Sequence, residues 1–210
     1  MPPRWIVVAA LIIPLAFIVS PSAIAGMPAM AGMMPSHAVA QGALGKATLP
    51  WSQARQTLTA STREGLVHGH TVSFSGQALT LRIVANAPHH PDMSFEAGGL
   101  TNPTVSVAQG SLVTLTLLNM DYGPGMVHGI LITTRGPPYP PSPVLHGAQT
   151  IARIPALAPR SRRRLSLARY AEASVRFMAR TPGMYYYVCP TPGHAEGFHM
   201  YGRFIVRRGR

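Results

Sequence analysis

Acidic residues are scarce in this chain of 210 residues: six Asp and Glu stand against 18 Lys and Arg, a formal net charge of +12 with histidine neutral. Charged residues of both signs make up only 11%, against about 25% in an average soluble domain. Cysteine is rarer still. Cys189 is alone, which excludes an internal disulfide, a zinc site of four thiolates and any cluster that needs several thiolates. The apolar run Trp5–Val19 is 15 residues long, short of the about 20 needed to span a membrane. What is abundant argues against a helical bundle, because Gly 20 and Pro 21 supply 41 of the 210 residues. A hydrophobic share of 47% allows a real core and excludes a wholly disordered chain.

The N-terminus reads as a secretory signal (residues 1–25). Arg4 gives a positive start, Trp5–Val19 the apolar stretch, and Ser22-Ala23-Ile24-Ala25 a small-residue cleavage site. Cleavage after Ala25 leaves 185 residues (210 − 25) in the periplasm. Association with a membrane is expected only if this segment stays uncleaved as an anchor. In an oxidising compartment a lone cysteine is either an exposed liability or a thiolate protected by a metal.

Residues 26–44 hold Met27, Met30, Met33, Met34 and His37 among small residues. They read as a flexible linker, with a soft-ligand Cu(I) tract as the alternative. The remainder, 45–210, reads as one domain. Trp51, Ala54, Leu58 and Thr62 share one face of a short helix, Trp51–Arg63. Thereafter the pattern turns to short apolar runs between turn residues. Strands are expected at Thr71–Ser75, Leu79–Ala85, Thr104–Val107, Leu112–Leu118, Val127–Thr133, Val175–Ala179, Tyr185–Cys189 and Arg203–Val206. The fold class is therefore all-β, a β-sandwich with a short N-terminal helix. Gly136–Arg169 carries seven prolines and then five arginines between Arg160 and Arg169. Without interleaved aromatics, and on an exported chain, this is no nucleic-acid patch. It reads as a solvated loop or a docking surface for an acidic partner.

The chemistry concentrates in Met184–Val206, MYYYVCPTPGHAEGFHMYGRFIV. A strand runs into Cys189, a tight Pro/Gly loop delivers His194, and Met200 precedes the last strand. His128 lies on a distant strand. Singly, each has an ordinary structural role: a small core cysteine, a core histidine, a packing methionine. As an ordered set, one thiolate, two imidazoles and a thioether are the donors of a mononuclear type 1 copper site, with a weak axial sulfur.

The chain resembles the cupredoxins, and within them the acid-stable rusticyanin-like branch, with the sulfocyanins close behind. The likeness rests on KATLP (46–50), TVSFSG (71–76), SFE (94–96), NPT (102–104), ITTRGPPY (132–139) and YYYVC with PGHA (185–195). It implies a Greek-key cupredoxin sandwich holding one type 1 copper ion, with His128, Cys189 and His194 as equatorial ligands. Asn119 matches an asparagine that helps fix the loops around the thiolate. The axial position departs from the family, which usually leaves four residues between the second histidine and the methionine. Here HAEGFHM puts His199 at that spacing and Met200 one residue later. Either the loop carries an inserted residue and Met200 is axial, or spacing rules and His199 binds. Strand register favours Met200, because Met-Tyr-Gly (200–202) then opens the last strand.

By resemblance the function is electron transport, not catalysis. Electrons would pass through the edge of His194, ringed by Met126, Pro190, Pro192 and Phe198. The implied setting is the periplasmic respiratory chain of an acidophile, linked to iron or sulfur oxidation, with a cytochrome c or terminal oxidase and an upstream donor as redox partners. A multicopper oxidase or nitrite reductase would need more clustered histidines than the pairs His68/His70 and His89/His90 offer. A copper chaperone using the Met-rich segment is the other alternative. Composition bears independently on acid tolerance, since acid denaturation mostly protonates paired carboxylates and only six are present.

Overall fold

The computed structural model describes residues 43–142 and 148–209, so the expected signal (1–25) and linker residues 26–42 lie outside the described residues. The chain begins with β1 (Ala43–Pro50), helix α1 (Trp51–Ser61), β2 (Leu66–His68), β3 (Thr71–Ser73) and β4 (Ala78–Ala85). It continues through β5 (Phe95–Ala97), β6 (Leu100–Thr101), β7 (Thr104–Ala108) and β8 (Leu112–Asn119). There follow β9 (His128–Thr133), β10 (Thr150–Leu157), β11 (Arg169–Met178), β12 (Gly183–Val188), the short helix α2 (His194–Phe198) and β13 (Tyr201–Arg207).

Two sheets result, ordered β1-β11-β8-β4-β5-β6 and β10-β9-β12-β13-β7-β3-β2. This is the expected all-β sandwich. Its core lies between the sheets, where Leu81, Ile83, Leu115 and Leu117 of one meet Ile130, Ile132, Tyr187 and Phe204 of the other. Helix α1 covers the outer face of the first sheet, with Ala54, Leu58 and Trp51 packing on Val84, Leu118, Met120 and Tyr170. That second cover explains why β8 stops alternating at its end, where Leu117 and Leu118 are both fully buried, on opposite faces. Burial of one leucine-sized side chain contributes about 1.5–3 kcal/mol, so Leu115 and Leu118 stabilise opposite faces of the same strand.

Several expectations are corrected. The strand β1 starts at Ala43, inside the stretch read as linker (26–44). Helix α1 stops at Ser61 rather than Arg63, where the last turn tightens and the Arg63 amide donates to the Ala60 carbonyl at 3.0 Å. The arginine- and proline-rich segment is not all loop. It contains β10 and a 3-10 turn at Leu165–Leu167, and β11 begins at Arg169, six residues before the expected Val175. Among the described residues no helix is long and apolar enough to cross a membrane.

Candidate metal centre

Three elements bring the candidate residues together. His128 opens β9 and is fully buried. Cys189 follows β12 directly and is also fully buried. His194 opens α2 and is 6% exposed. Sequence places the first of these 61 residues from the second, yet β9 and β12 are adjacent strands, paired at Leu131–Val188. The Thr191 hydroxyl donates to the Val127 carbonyl at 2.7 Å, tying the cysteine loop to the residue before His128.

The loop geometry has local causes. Gly193 sits at φ 80°, left-handed, where glycine carries no Cβ penalty, and its amide donates to the Pro141 carbonyl at 2.6 Å. The chain then makes one helical turn and reverses at His199, also left-handed at φ 55°. The Met200 amide donates to the His194 carbonyl at 3.1 Å, and the Cys189 amide to the Met200 carbonyl at 3.0 Å. The segment between His194 and Met200 is thus closed into one turn before β13 begins. His199 is exposed and lines a surface groove with Pro137, Pro138, Tyr139, Glu196 and Tyr201. Met200 is fully buried in the core with Cys189.

The donor atoms converge. Cys189 Sγ lies 3.5 Å from His194 Nδ1 and 3.8 Å from His128 Nδ1, and the two Nδ1 atoms are 3.2 Å apart. His128 Nε2 is 2.8 Å from the Asp121 carboxylate, which only accepts, so Nε2 carries a proton and Nδ1 is the nitrogen left free to bind once the ring is neutral. Three donor atoms packed this closely in a buried site are placed to share one cation. A trigonal site with metal–nitrogen bonds of about 2.1 Å and metal–sulfur of about 2.3 Å, as at zinc, has edges of about 3.6 and 3.8 Å. The observed triangle is within a few tenths of that. Soft sulfur with two imidazoles suits copper, and the cluster fits a single type 1 copper site.

With no metal bound, the electrostatics favour a thiolate at Cys189 paired with a protonated His128. Burial alone would raise the Cys189 thiol, but hydrogen bonds and charge from His128, with His194 and Thr191, bring it down to about 6. The thiolate, the form that binds metal, is therefore favoured. Burial would lower His128, yet its bond to Asp121 and its proximity to Cys189 raise it to about 9. Burial would raise Asp121, and the bonds from His128, Asn86 and the Tyr122 amide outweigh it and hold it below the usual carboxylate value.

Asn119 ties together the backbone on the His128 side of the site rather than the cysteine loop itself. Its amide donates to the carbonyls of Met126, Leu157 and Ala158 at 3.0–3.1 Å, and its oxygen accepts from the Asp121 amide at 2.9 Å. Arg160 extends this anchorage: its amide donates to the Asp121 carbonyl at 2.8 Å, its guanidinium bonds the Met120 carbonyl and lies over the Tyr122 ring. Arg162, Arg163, Arg164 and Arg169 remain exposed. Asp121, bonded to His128, is a neighbour of the site that sequence reasoning missed. In the sequence it is one of several turn residues after β8, and only its scarcity marks it.

The comparisons with known proteins agree. No protein-family model matches the chain. It is 34% identical over 162 residues to the rusticyanin of Acidithiobacillus ferridurans, covering 77% of this chain and 79% of that one. The rusticyanin of Acidithiobacillus ferrooxidans is 33% identical over the same length and coverage. The solved structure of rusticyanin from Thiobacillus ferrooxidans superposes with a TM-score of 0.67 at 30% identity, over 78% of this chain and 97% of that one.

Proposed function

The chain belongs to the rusticyanin family of cupredoxins, and from that premise we propose that it shuttles single electrons in a periplasmic respiratory chain. His128 Nδ1, His194 Nδ1 and Cys189 Sγ would hold the copper, and Met200 would supply a weak fourth donor through its sulfur. His199, exposed and turned into a surface groove, stays out of the site. When bound, the metal alternates between Cu(I) and Cu(II), and the protein's part is to keep that change small in geometry. The supporting observation is the convergence of three donor atoms within 3.8 Å of one another in a buried site.

The residues divide the work. The β9–β12 pairing and the Thr191–Val127 bond fix two elements against each other, so little reorganisation accompanies each electron. His194, the least buried of the three, offers the route to the surface. Its ring meets Phe198 edge-on at 6.5 Å, and Phe198 is 55% exposed, an apolar rim for a redox partner. All three donor residues are buried, an arrangement that supports a carrier rather than an enzyme. The exposed arginines of the loop that Arg160 holds beside Asp121 favour a partner with an acidic surface.

The setting we infer is acidic and linked to iron or sulfur oxidation, with a cytochrome c or terminal oxidase as one partner. Few carboxylates, and Glu96 buried in a pocket that favours its neutral form, support acid tolerance. The N-terminal reading as a cleaved signal supports export. A Cu(I) titration of Cys189→Ala separates this from a chaperone built on Met27, Met30, Met33 and Met34. A carrier loses tight uptake with the thiolate, whereas retention of tight Cu(I) binding would favour the chaperone.

A further inference from the structure

We propose that Asp121 is a positioning residue of the copper site, selecting the tautomer of His128 and placing a negative charge behind it. The inference rests on the copper reading above and concerns how this chain tunes it.

Asp121 lies in the loop between β8 and β9, is 4% exposed, and is one of six carboxylates in a chain of net charge +12. Both oxygens are used. One accepts the Tyr122 amide at 2.6 Å, and the other accepts His128 Nε2–H at 2.8 Å. The surrounding backbone is pinned from three sides, by Asn119 on the Asp121 amide, Arg160 N–H on its carbonyl, and the Arg160 guanidinium on the Met120 carbonyl.

Two consequences follow from this geometry. An acceptor at Nε2 keeps a proton there, so Nδ1 is the nitrogen turned toward Cys189 and His194 for the metal. A backbone carbonyl would do that equally well. Only a carboxylate also increases the basicity of the imidazole and adds a buried negative charge one ring away from the metal. Such a charge stabilises Cu(II) over Cu(I), because the ion it faces carries the larger charge when oxidised. Asp121 therefore works against the potential-raising effects of burial and a thioether ligand, and strengthens Cu(II) retention. The Arg160 guanidinium, whose own backbone amide bonds the Asp121 carbonyl, is directed to the Met120 carbonyl and the Tyr122 ring.

The test compares Asp121→Asn and Asp121→Ala with the unmodified protein, each loaded with copper. Asp121→Asn keeps an acceptor but loses the charge. It should remain coloured and keep the Nε2–H signal in nitrogen NMR of the Cu(I) form. Its Cu(I)/Cu(II) equilibrium should shift toward Cu(I) by about tenfold, or about 59 mV for one electron. Asp121→Ala loses both and should bind Cu(II) about 10- to 100-fold more weakly. A folded, coloured Asp121→Asn with unchanged potential and unchanged Cu(II) affinity overturns the proposal, even if Asp121→Ala fails to fold. A purely structural role would lower stability and leave the potential alone. Absence of a thiolate–copper band in the unmodified protein would instead overturn the copper reading, and this inference with it.

Discussion

The substitution Gly202→Ala tests how the last strand is held in register beneath the site. In the β12–β13 pair Tyr187 lies directly opposite Gly202, and its fully buried ring leans across the glycine. A Cβ on residue 202 would fall 2.6 Å from Tyr187 Cε1 and closer still to Cζ and Oη, well inside the usual carbon contact of about 3.5–4.0 Å. Backbone strain is not involved, since Gly202 has no positive φ. The ring has little freedom to retreat. Phe95 packs on it at 5.8 Å between centroids, and its hydroxyl donates to the Pro103 carbonyl at 2.6 Å. Overpacking costs about 1–3 kcal/mol, and a displaced hydroxyl leaves that buried carbonyl unsatisfied for about 1–3 kcal/mol more. A loss of roughly 2–6 kcal/mol follows, a large share of the about 5–15 kcal/mol typical of a domain. Urea unfolding followed by circular dichroism measures it. The disturbance should reach Met200, two residues upstream, and shift the visible spectrum of any folded fraction. Adding Tyr187→Leu should make the pair less destabilised than the sum of the singles. A loss for Gly202→Ala below about 0.5 kcal/mol, the range of neutral surface changes, would refute this account of the Met-Tyr-Gly segment.

Further predictions concern the axial ligand, acid stability and docking. Met200→Leu conserves volume and should cost under about 1.5 kcal/mol of stability, yet it should perturb the visible spectrum and raise the potential. His199→Ala should change both only slightly, and the reverse pattern would make His199 axial. Glu96 is fully buried, accepts from Ser61 Oγ at 2.6 Å and Gly99 N at 2.7 Å, and burial raises its carboxyl above 4.5. A raised folded value means its contribution is fully present below the unfolded value and is lost as pH rises through the folded one. Unfolding free energies should therefore fall with rising pH above about 4.5 more steeply in the unmodified protein than in Glu96→Gln; parallel profiles would contradict this. Joint reversal of Arg162, Arg163 and Arg164 to Glu should slow electron exchange with hexacyanoferrate at low salt and flatten its ionic-strength dependence. The same three-charge change at Arg203, Arg207 and Arg208 should do less, and equal effects would show that only net charge matters.

The ligand loop was legible because its chemistry is local. Cys189, His194 and Met200 sit within a dozen residues, and their order around Pro and Gly carries the information. His128 needed the resemblance as well, since a distant histidine on an apolar strand has no signature of its own. Strands with clear apolar runs, such as Leu112–Asn119, were found nearly to the residue. The strand β10 was hidden by Pro155. It lies at a sheet edge and its register slips between Ile154 and Leu157, two settings in which a sheet tolerates proline. The first half of β11, Arg169–Ser174, has charged and small residues around a lone Tyr170, yet pairing with β1 and β8 on both sides makes it a central strand. Asp121 was illegible for a different reason. Its role exists only once the loop closes on His128, seven residues away, and no periodicity announces that closure.

The central claim is that Cys189, His128 and His194 together hold one copper ion. The visible absorption spectrum of the purified, oxidised protein, taken beside its copper content, tests it most directly. The account predicts one copper per chain and an intense thiolate-to-Cu(II) charge-transfer band, bleached by one electron and abolished in Cys189→Ser while the fold persists. A protein that binds Cu(II) stoichiometrically and stays colourless, or a Cys189→Ser variant that keeps the band, would contradict it.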